Sequence, residues 1–360
     1  MARIVIAPDS FKGTATAGVA TAAIARGWAS VRPADELVQL PMADGGEGTL
    51  DAFAAAVAGA KWMPHTVVGP DNRPVDSEWL LLPDGTGVVE LARASGLTLL
   101  DPLQPFDAHT YGFGQLIAAA LAAGATRLML AIGGSSSTDG GAGALSALGV
   151  RLLDSTGVAI PLGNRGLAAL ERVDWSDATP SPASVIVLCD VRNPLLGSDG
   201  AAAVFGPQKG ATAADAAALD ANLRHFAGVL GGNGEFPGAG AAGGTSFGLV
   251  AWGSELRSGA EEIASRSGLD VVIQSADLVI TGEGRFDSQS ASGKVPHHIE
   301  AMAASFGVPC SIIAGSIEAP TTVFHSATSL TELAGNSDAA REDAQRWLEA
   351  AGADLATRFA

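Results

Sequence analysis

The chain has 360 residues, of which 47% are hydrophobic and 16% charged, with 46 glycines. That composition excludes a disordered or fibrous chain and suggests two compact α/β domains with many tight turns. The formal net charge of −17 argues against nucleic acid as a partner, since a phosphate backbone demands a basic surface, and an anionic substrate would need local cations or a metal ion to overcome that background.

The chain opens directly on the β-branched run "RIVIAP", read as a buried first strand. With no signal-peptide pattern and no long charge-free apolar run able to span a bilayer, a cytoplasmic protein is expected, with no membrane partner. The loop "PDSFKGTAT" leads to a helix whose predicted apolar face is Val19, Ala23, Ile24, Gly27, Trp28 and Val31. "ELVQLP" is the second strand, and "ADGGEGT" leads into the helix "LDAFAAAVAGA". This β-α-β-α order begins an open parallel sheet. Between about 63 and 107 the pattern changes to closely spaced extended runs broken by "PDN" and "PDGTG", which predict hairpins.

"GQLIAAALAAGA" is then a helix and "RLMLAIG" a strand. "SVIVLCD" is a further strand, and a long helix lies within "AAAVFGPQKGATAADAAALDANLRHFAGVL". "GGNGEFPGAGAAGGTSFG" reads either as a linker or as a nest of backbone N–H groups around a ligand. The segment from "SADLVITGEGR" to "IAGS" repeats the strand, loop, helix, strand order, and "SDAAREDAQRWLEAAGADLATRF" closes the chain as an amphipathic helix. The two ends are alike in class and the middle reads as an insertion. The predicted domains are 1–62 with 276–360, and 63–275. Cys189 and Cys310 lie far apart in apolar runs and are expected to be buried thiols.

Chemistry is expected in loops that follow strands and mix glycine with charge: "APDSFKG", "MADGGEGT", "AIGGSSSTDGG", "LCDVRNPLLG" and "TGEGRFDSQSASGK". In open α/β sheets such loops line the ligand crevice. Lys12, Arg192, Arg285 and Lys294 can neutralise phosphoryl or carboxylate oxygens. Asp44, Glu47, Asp139, Asp190, Glu283 and Asp287 can hold Mg²⁺ or take a proton. Cations, carboxylates and glycine turns together are what phosphoryl transfer requires. An aspartate in a glycine-rich loop also serves as a helix N-cap or turn former, so Asp44 and Asp139 carry both readings. His109 reads as structural, and the adjacent His297 and His298 do not share a helix face as a metal pair would. There is no P-loop spacing, no GxSxG elbow and no GxGxxG after the first strand. The last of these argues against an NAD-linked oxidoreductase.

The stretches "VIAPDSFKG", "ADGGEGT", "GGSSSTDGGAGALSALG", "CDVRNPLLG", "FGPQKGA", "GAGAAGG", "ITGEGRFDSQSASGKVP" and "IAGS", in that order from residue 4 to about 316, together resemble the bacterial type I glycerate kinases. The resemblance implies a Rossmann- or flavodoxin-like parallel-sheet domain built from both chain ends, with a second mixed α/β domain inserted. It implies phosphorylation of D-glycerate by ATP with Mg²⁺, generally at the 2-hydroxyl; 3-hydroxyl transfer and a non-catalytic nucleotide- or sugar-phosphate-binding regulator are the alternatives. Phe113 and Gln115 depart from the family pattern, where a smaller residue and a glutamate are usual, and the stretch after "IAGS" is short, which bears on the sheet edge.

On this reading Asp190 is the expected base, with Asp139 as second candidate, and Lys294 and Arg285 complete the catalytic set. Ser10, Lys12, Asp44, Glu47 and Arg192 are expected to meet substrate. Gly133, Gly134, Ser135, Gly140, Gly141, Gly240, Gly243 and Gly244 would bring N–H groups to the nucleotide phosphates, and Asp287 and Glu283 would hold Mg²⁺.

Overall fold

A computed structural model describes residues 1–287 and 294–359. The chain divides into two compact units: residues 1–44, 51–58 and 259–360 form a terminal unit, and residues 45–50 and 59–258 an inserted one.

The terminal unit carries a five-stranded, all-parallel sheet. Its order is Ser326–Ser329, Cys310–Ile317, Leu278–Phe286, Arg3–Ile6, Glu36–Gln39. From the central pair the chain winds outward in opposite directions, Arg3–Ile6 towards Glu36–Gln39 and Leu278–Phe286 towards Cys310–Ile317. The topological switch point therefore lies between the first strand and Leu278–Phe286, and the carboxyl ends flanking such a point are where open α/β sheets bind ligands.

Alternation puts Ile4 and Ile6 on one face of the first strand, in a core with Ile24, Trp28, Leu348 and Leu355 from the helices Ala17–Val31 and Ala344–Arg358. Thr16 caps the first of these helices, accepting from Val19 N–H at 3.3 Å. Pro33 follows its end, where a helix cannot readily continue. Of the face expected from periodicity, Ala23, Ile24, Gly27 and Trp28 are buried, whereas Val19 and Val31 are exposed. They sit at the ends of the stripe, beyond the helix that covers its middle.

The inserted unit carries a six-stranded sheet in the order Glu255–Arg257, Val185–Leu188, Arg127–Ala131, Thr86–Glu90, Pro74–Leu81, Lys61–Val68. The first four strands are parallel, and the last two add antiparallel as the expected hairpins. Leu128, Leu130, Val185 and Val187 meet Leu116, Phe226 and Leu249 in its core.

The unit boundaries differ from those read in the sequence. Lys61 and Trp62 belong with the insertion because their strand pairs continuously with Pro74–Leu81. The helices Gly259–Ser267 and Leu269–Gln274 group with the terminal unit, where both touch the helix Val295–Ser305. Cys310 is buried as expected, but Cys189 is only partly buried because it lies just past its strand. Phe113 is a core residue and Gln115 accepts from Val68 N–H at 2.8 Å, so both departures from the family pattern hold helix against strand. At the sheet edge after "IAGS", Ser326–Ser329 still forms a paired strand. Among the described residues no helix is long and apolar enough to cross a membrane.

Candidate active site

In the terminal unit, the backbone beyond Ile6 stays hydrogen-bonded to the neighbouring strand, Ala7 N–H to Ile280 O and Asp9 N–H to Gly282 O, each at 2.8 Å. Asp9 is thereby held at the carboxyl end of the first strand, beside the switch point. It helps to line a cleft of ≈ 510 Å³ with Ser10, Lys12, Asp44, Arg285 and Lys294. Glycine and charge in "TGEGR" predict a loop. Instead the strand runs on to Phe286, paired as far as Ile317, so Glu283 and Arg285 stand on a rigid strand.

The charges of this cleft are paired across its wall. Lys12 Nζ lies 3.9 Å from Asp44 Oδ2, and Lys294 Nζ 3.8 Å from Glu283 Oε2. Arg285 lies 3.7 Å from Asp287 and donates to Glu318 at 2.6 Å. Lys294 occupies the N-cap position of the helix Val295–Ser305, with Pro296 in its first turn. Residues 288–293 of the serine-rich stretch lie outside the described residues. Asp9 is 5% exposed, and its Oδ1 accepts from Ser10 N–H at 2.6 Å. Burial, and then the neighbouring Asp44 carboxylate, push the Asp9 carboxyl well above the usual range. Sequence reading missed Asp9, although it stands in "PDSFKG" three residues after the strand Arg3–Ile6; the signal was its place at the strand end.

Among the described residues no group of three or more His, Cys, Asp or Glu side chains is arranged to hold a metal ion. The two carboxylates expected to do so, Glu283 and Asp287, each face a cation. The donor set fits Mg²⁺ carried on nucleotide phosphates, which needs one or two protein carboxylates rather than a cage.

In the inserted unit, "GGSSSTDGG" follows the strand Arg127–Ala131. Its aspartate, Asp139, is fully buried. Oδ1 accepts from Gly141 N–H at 3.1 Å; Oδ2 accepts from Gly143 N–H at 3.1 Å and from Thr110 N–H and Oγ1–H at 2.9 and 2.8 Å. A carboxylate so occupied organises the start of the helix Ala142–Ala147 and is not placed to take a substrate proton. The capping reading of Asp139 therefore replaces the catalytic one.

The glycines of this loop also do different work from that expected. The N–H groups of Gly133, Gly140, Gly141, Gly240 and Gly244 are bonded within the protein, to Gly45 O, Gly243 O, Asp139 Oδ1, Asn193 O and Gly240 O. Those of Gly134 and Ser135 meet no acceptor among the described residues. Ala242, Gly243 and Gly244 are successively left-handed before the helix that ends at Trp252. "GAGAAGG" is thus a built turn rather than a linker.

Glu47 is exposed, with its carboxylate over Gly134. Asp190 and Arg192 lie just past the strand Val185–Leu188, the first partly buried and the second exposed. His109 is buried, bonded to Asn72 and Tyr111, as a structural histidine would be.

Sequence reading also missed Lys209. Its side chain is 2% exposed, and its Nζ donates to Ser137 O at 2.5 Å. Burial lowers its ammonium to about 7, with Asp139 pulling the other way. The signal was the "PQKG" turn within the quoted "FGPQKGA", but nothing local shows that the lysine points inward.

The glycerate kinase family model matches residues 4–360. The chain is 45% identical over 326 residues to a glycerate kinase of Bacillus subtilis (strain 168), covering 88% of this chain and 85% of the relative. It is 42% identical over 334 residues to a glycerate 2-kinase of Escherichia coli (strain K12), covering 90% and 87%. A crystal structure described as glycerate kinase 2 from Salmonella typhimurium LT2 superposes with a TM-score of 0.85 at 37% identity, covering 99% of this chain and 98% of the other. Fold and relatives define a mixed α/β kinase with parallel sheets. The chain belongs to the glycerate kinase family.

Proposed function

We propose that the protein transfers the γ-phosphoryl group of ATP, as its Mg²⁺ complex, to the 2-hydroxyl of D-glycerate. The observation that carries this reading is the cleft at the switch point of the terminal sheet, where Lys12, Arg285 and Lys294 stand beside Asp9, Asp44 and Glu283. A small hydroxy acid needs that mixture: cations for its carboxylate and carboxyl groups for its hydroxyls. Ser10 adds a hydroxyl at the same wall. Lys294 and Arg285 are assigned to the charge that develops on the transferring phosphoryl.

The nucleotide phosphates are assigned to the inserted unit, to Gly134, Ser135 and the left-handed turn at Gly243, with Glu47 and Arg192 at exposed positions of neighbouring loops. Mg²⁺ supplies charge neutralisation on the phosphates, and Asp287 and Glu283 are the carboxylates assigned to hold it.

The acceptor proton passes to a carboxylate. Asp190 is the assignment read from sequence, and it lies two residues past the end of the strand Val185–Leu188. Asp9 is the second reading, favoured by its place in the cation-lined cleft and by a carboxyl raised towards the working pH.

The test of the reaction is the product. Enolase added without phosphoglycerate mutase should convert the product to phosphoenolpyruvate, because enolase takes only the 2-phosphate. If phosphoenolpyruvate appears only when mutase is also present, transfer is to the 3-hydroxyl.

A further inference from the structure

Lys209 has no place in that account, and its burial calls for one. Its Nζ donates to Ser137 O at 2.5 Å and lies 3.5 Å from Ser135 Oγ. Among the described residues no carboxylate stands within ion-pair distance of it. Asp139, buried in the same loop, acts on the ammonium only from beyond ion-pair distance; an ammonium so weakly compensated is costly to bury, and packing alone would be met as well by an apolar chain of the same length.

The surroundings show what the ammonium holds together. Ser135 Oγ also reaches Ala242 O at 3.3 Å, and Gly140 N–H donates to Gly243 O at 3.0 Å. A Cβ on Gly243, whose φ is +69°, would stand 2.0 Å from Ser137 O and 2.9 Å from Lys209 Nζ. Only glycine allows the turn to approach the loop and the ammonium this closely. Beside them Thr138 Oγ1 is buried with no hydrogen-bond partner among the described residues. The same loop presents the unmatched N–H groups of Gly134 and Ser135.

We propose that Lys209 is a positioning residue of the nucleotide-phosphate site: its ammonium locks the Ser135–Ser137 loop onto the Ala242–Gly244 turn, and the phosphates of bound nucleotide are its counter-charge. This rests on the reading that these loops hold the nucleotide. In a water-poor setting the ammonium form acts strongly on an anion at the loop surface without touching it, and the anion in turn favours that form.

The experiment compares Lys209→Met and Lys209→Gln with the parent in ADP binding by calorimetry, KM for glycerate and thermal midpoint. Amide exchange over 133–141 and 240–245 is followed in the parent with and without ADP. We expect ADP to protect both segments. We expect Lys209→Met to bind ADP at least ~10-fold more weakly, with the KM for glycerate within about twofold and the thermal midpoint unchanged or raised. Lys209→Gln, which keeps donors but no charge, should remain weak.

ADP binding at parental strength in Lys209→Met, with protection intact in the parent, overturns the role of Lys209 and leaves the nucleotide site standing. Parental binding in Lys209→Gln overturns the role of the charge. A lowered thermal midpoint with equal losses for both substrates reduces Lys209 to a core residue. No protection of either segment by ADP overturns the nucleotide assignment and the proposal with it.

Discussion

Asp9 is a buried carboxyl through which pH acts on stability. The folded chain retains the Asp9 proton to higher pH than the unfolded chain, because burial and Asp44 disfavour its charge. The folded state therefore binds more protons between the ordinary carboxylate range and the raised value, and stability falls as pH rises through that window. Asp9→Asn removes the effect. It should unfold at a higher temperature than the parent at neutral pH, with the gap closing as pH is lowered into the ordinary carboxylate range. If Asp9 takes the acceptor proton, the same variant loses ~10²-fold or more in kcat. A kcat within about threefold of the parent returns the base to Asp190, where Asp190→Asn should then show the loss.

Lys209 has the opposite sign. Its folded value, about 7, lies below that of an unfolded lysine, so the unfolded chain binds the extra proton and its contribution to stability rises with pH above about 7. The slope approaches ~1.4 kcal/mol per pH unit for one proton. Lys209→Met should flatten the pH dependence of denaturant unfolding above neutrality by about that amount. An unchanged slope would show that the lysine is not the group responsible.

At the scale of elements, the terminal unit depends on the close crossing of its first and last long helices. A Cβ on Gly27 would lie 1.9 Å from Glu349 O, and one on Gly352 2.3 Å from Ile24 O. The two helices meet backbone to backbone at these residues, and Trp28 and Leu348 fill the space beside them. Adding a methyl group here forces the helices apart. Gly27→Ala is expected to cost about 3 kcal/mol and to lower the melting midpoint by ~5–10 °C. Gly18, at the exposed start of the same helix with open space around it, is the control: Gly18→Ala should be neutral or slightly stabilising through helix propensity. Equal effects at the two positions would refute the account of the crossing.

For the whole molecule, charge is the governing quantity. A chain of net charge −17 must accept an anionic acid and a polyanionic nucleotide. Lys12, Arg285 and Lys294 already face carboxylates, so a divalent ion is expected to travel with the nucleotide. Exhaustive treatment with EDTA should abolish turnover, and added Mg²⁺ should restore it. Full activity in the chelated enzyme would remove the metal from the mechanism.

The sequence by itself determined the class of the elements and their order. Period-2 and period-3.6 patterns report which face of an element is buried, and those faces belong to the element's own residues. The strands at Arg3–Ile6, Arg127–Ala131 and Val185–Leu188, the hairpins after residue 63 and the terminal helices were legible on that ground. So were the loops that carry the site, because glycine and charge after a strand form a local signal. The resemblance to glycerate kinases was carried by those same loops. The tertiary structure alone decided what each side chain in them does. Asp139 turns inward because Thr110, 29 residues earlier, donates to it twice. Glu283 and Arg285 stand on a strand because Ala314 and Ser316 pair beside them. Lys209 is buried because Ser137 O and the Gly243 turn close over it, and Asp9 is a raised acid because the fold buries it and sets Asp44 and Glu283 beside it. In each case the deciding partner lies far along the chain, and hydrogen bonds and burial depend on distance in space, which local periodicity does not encode.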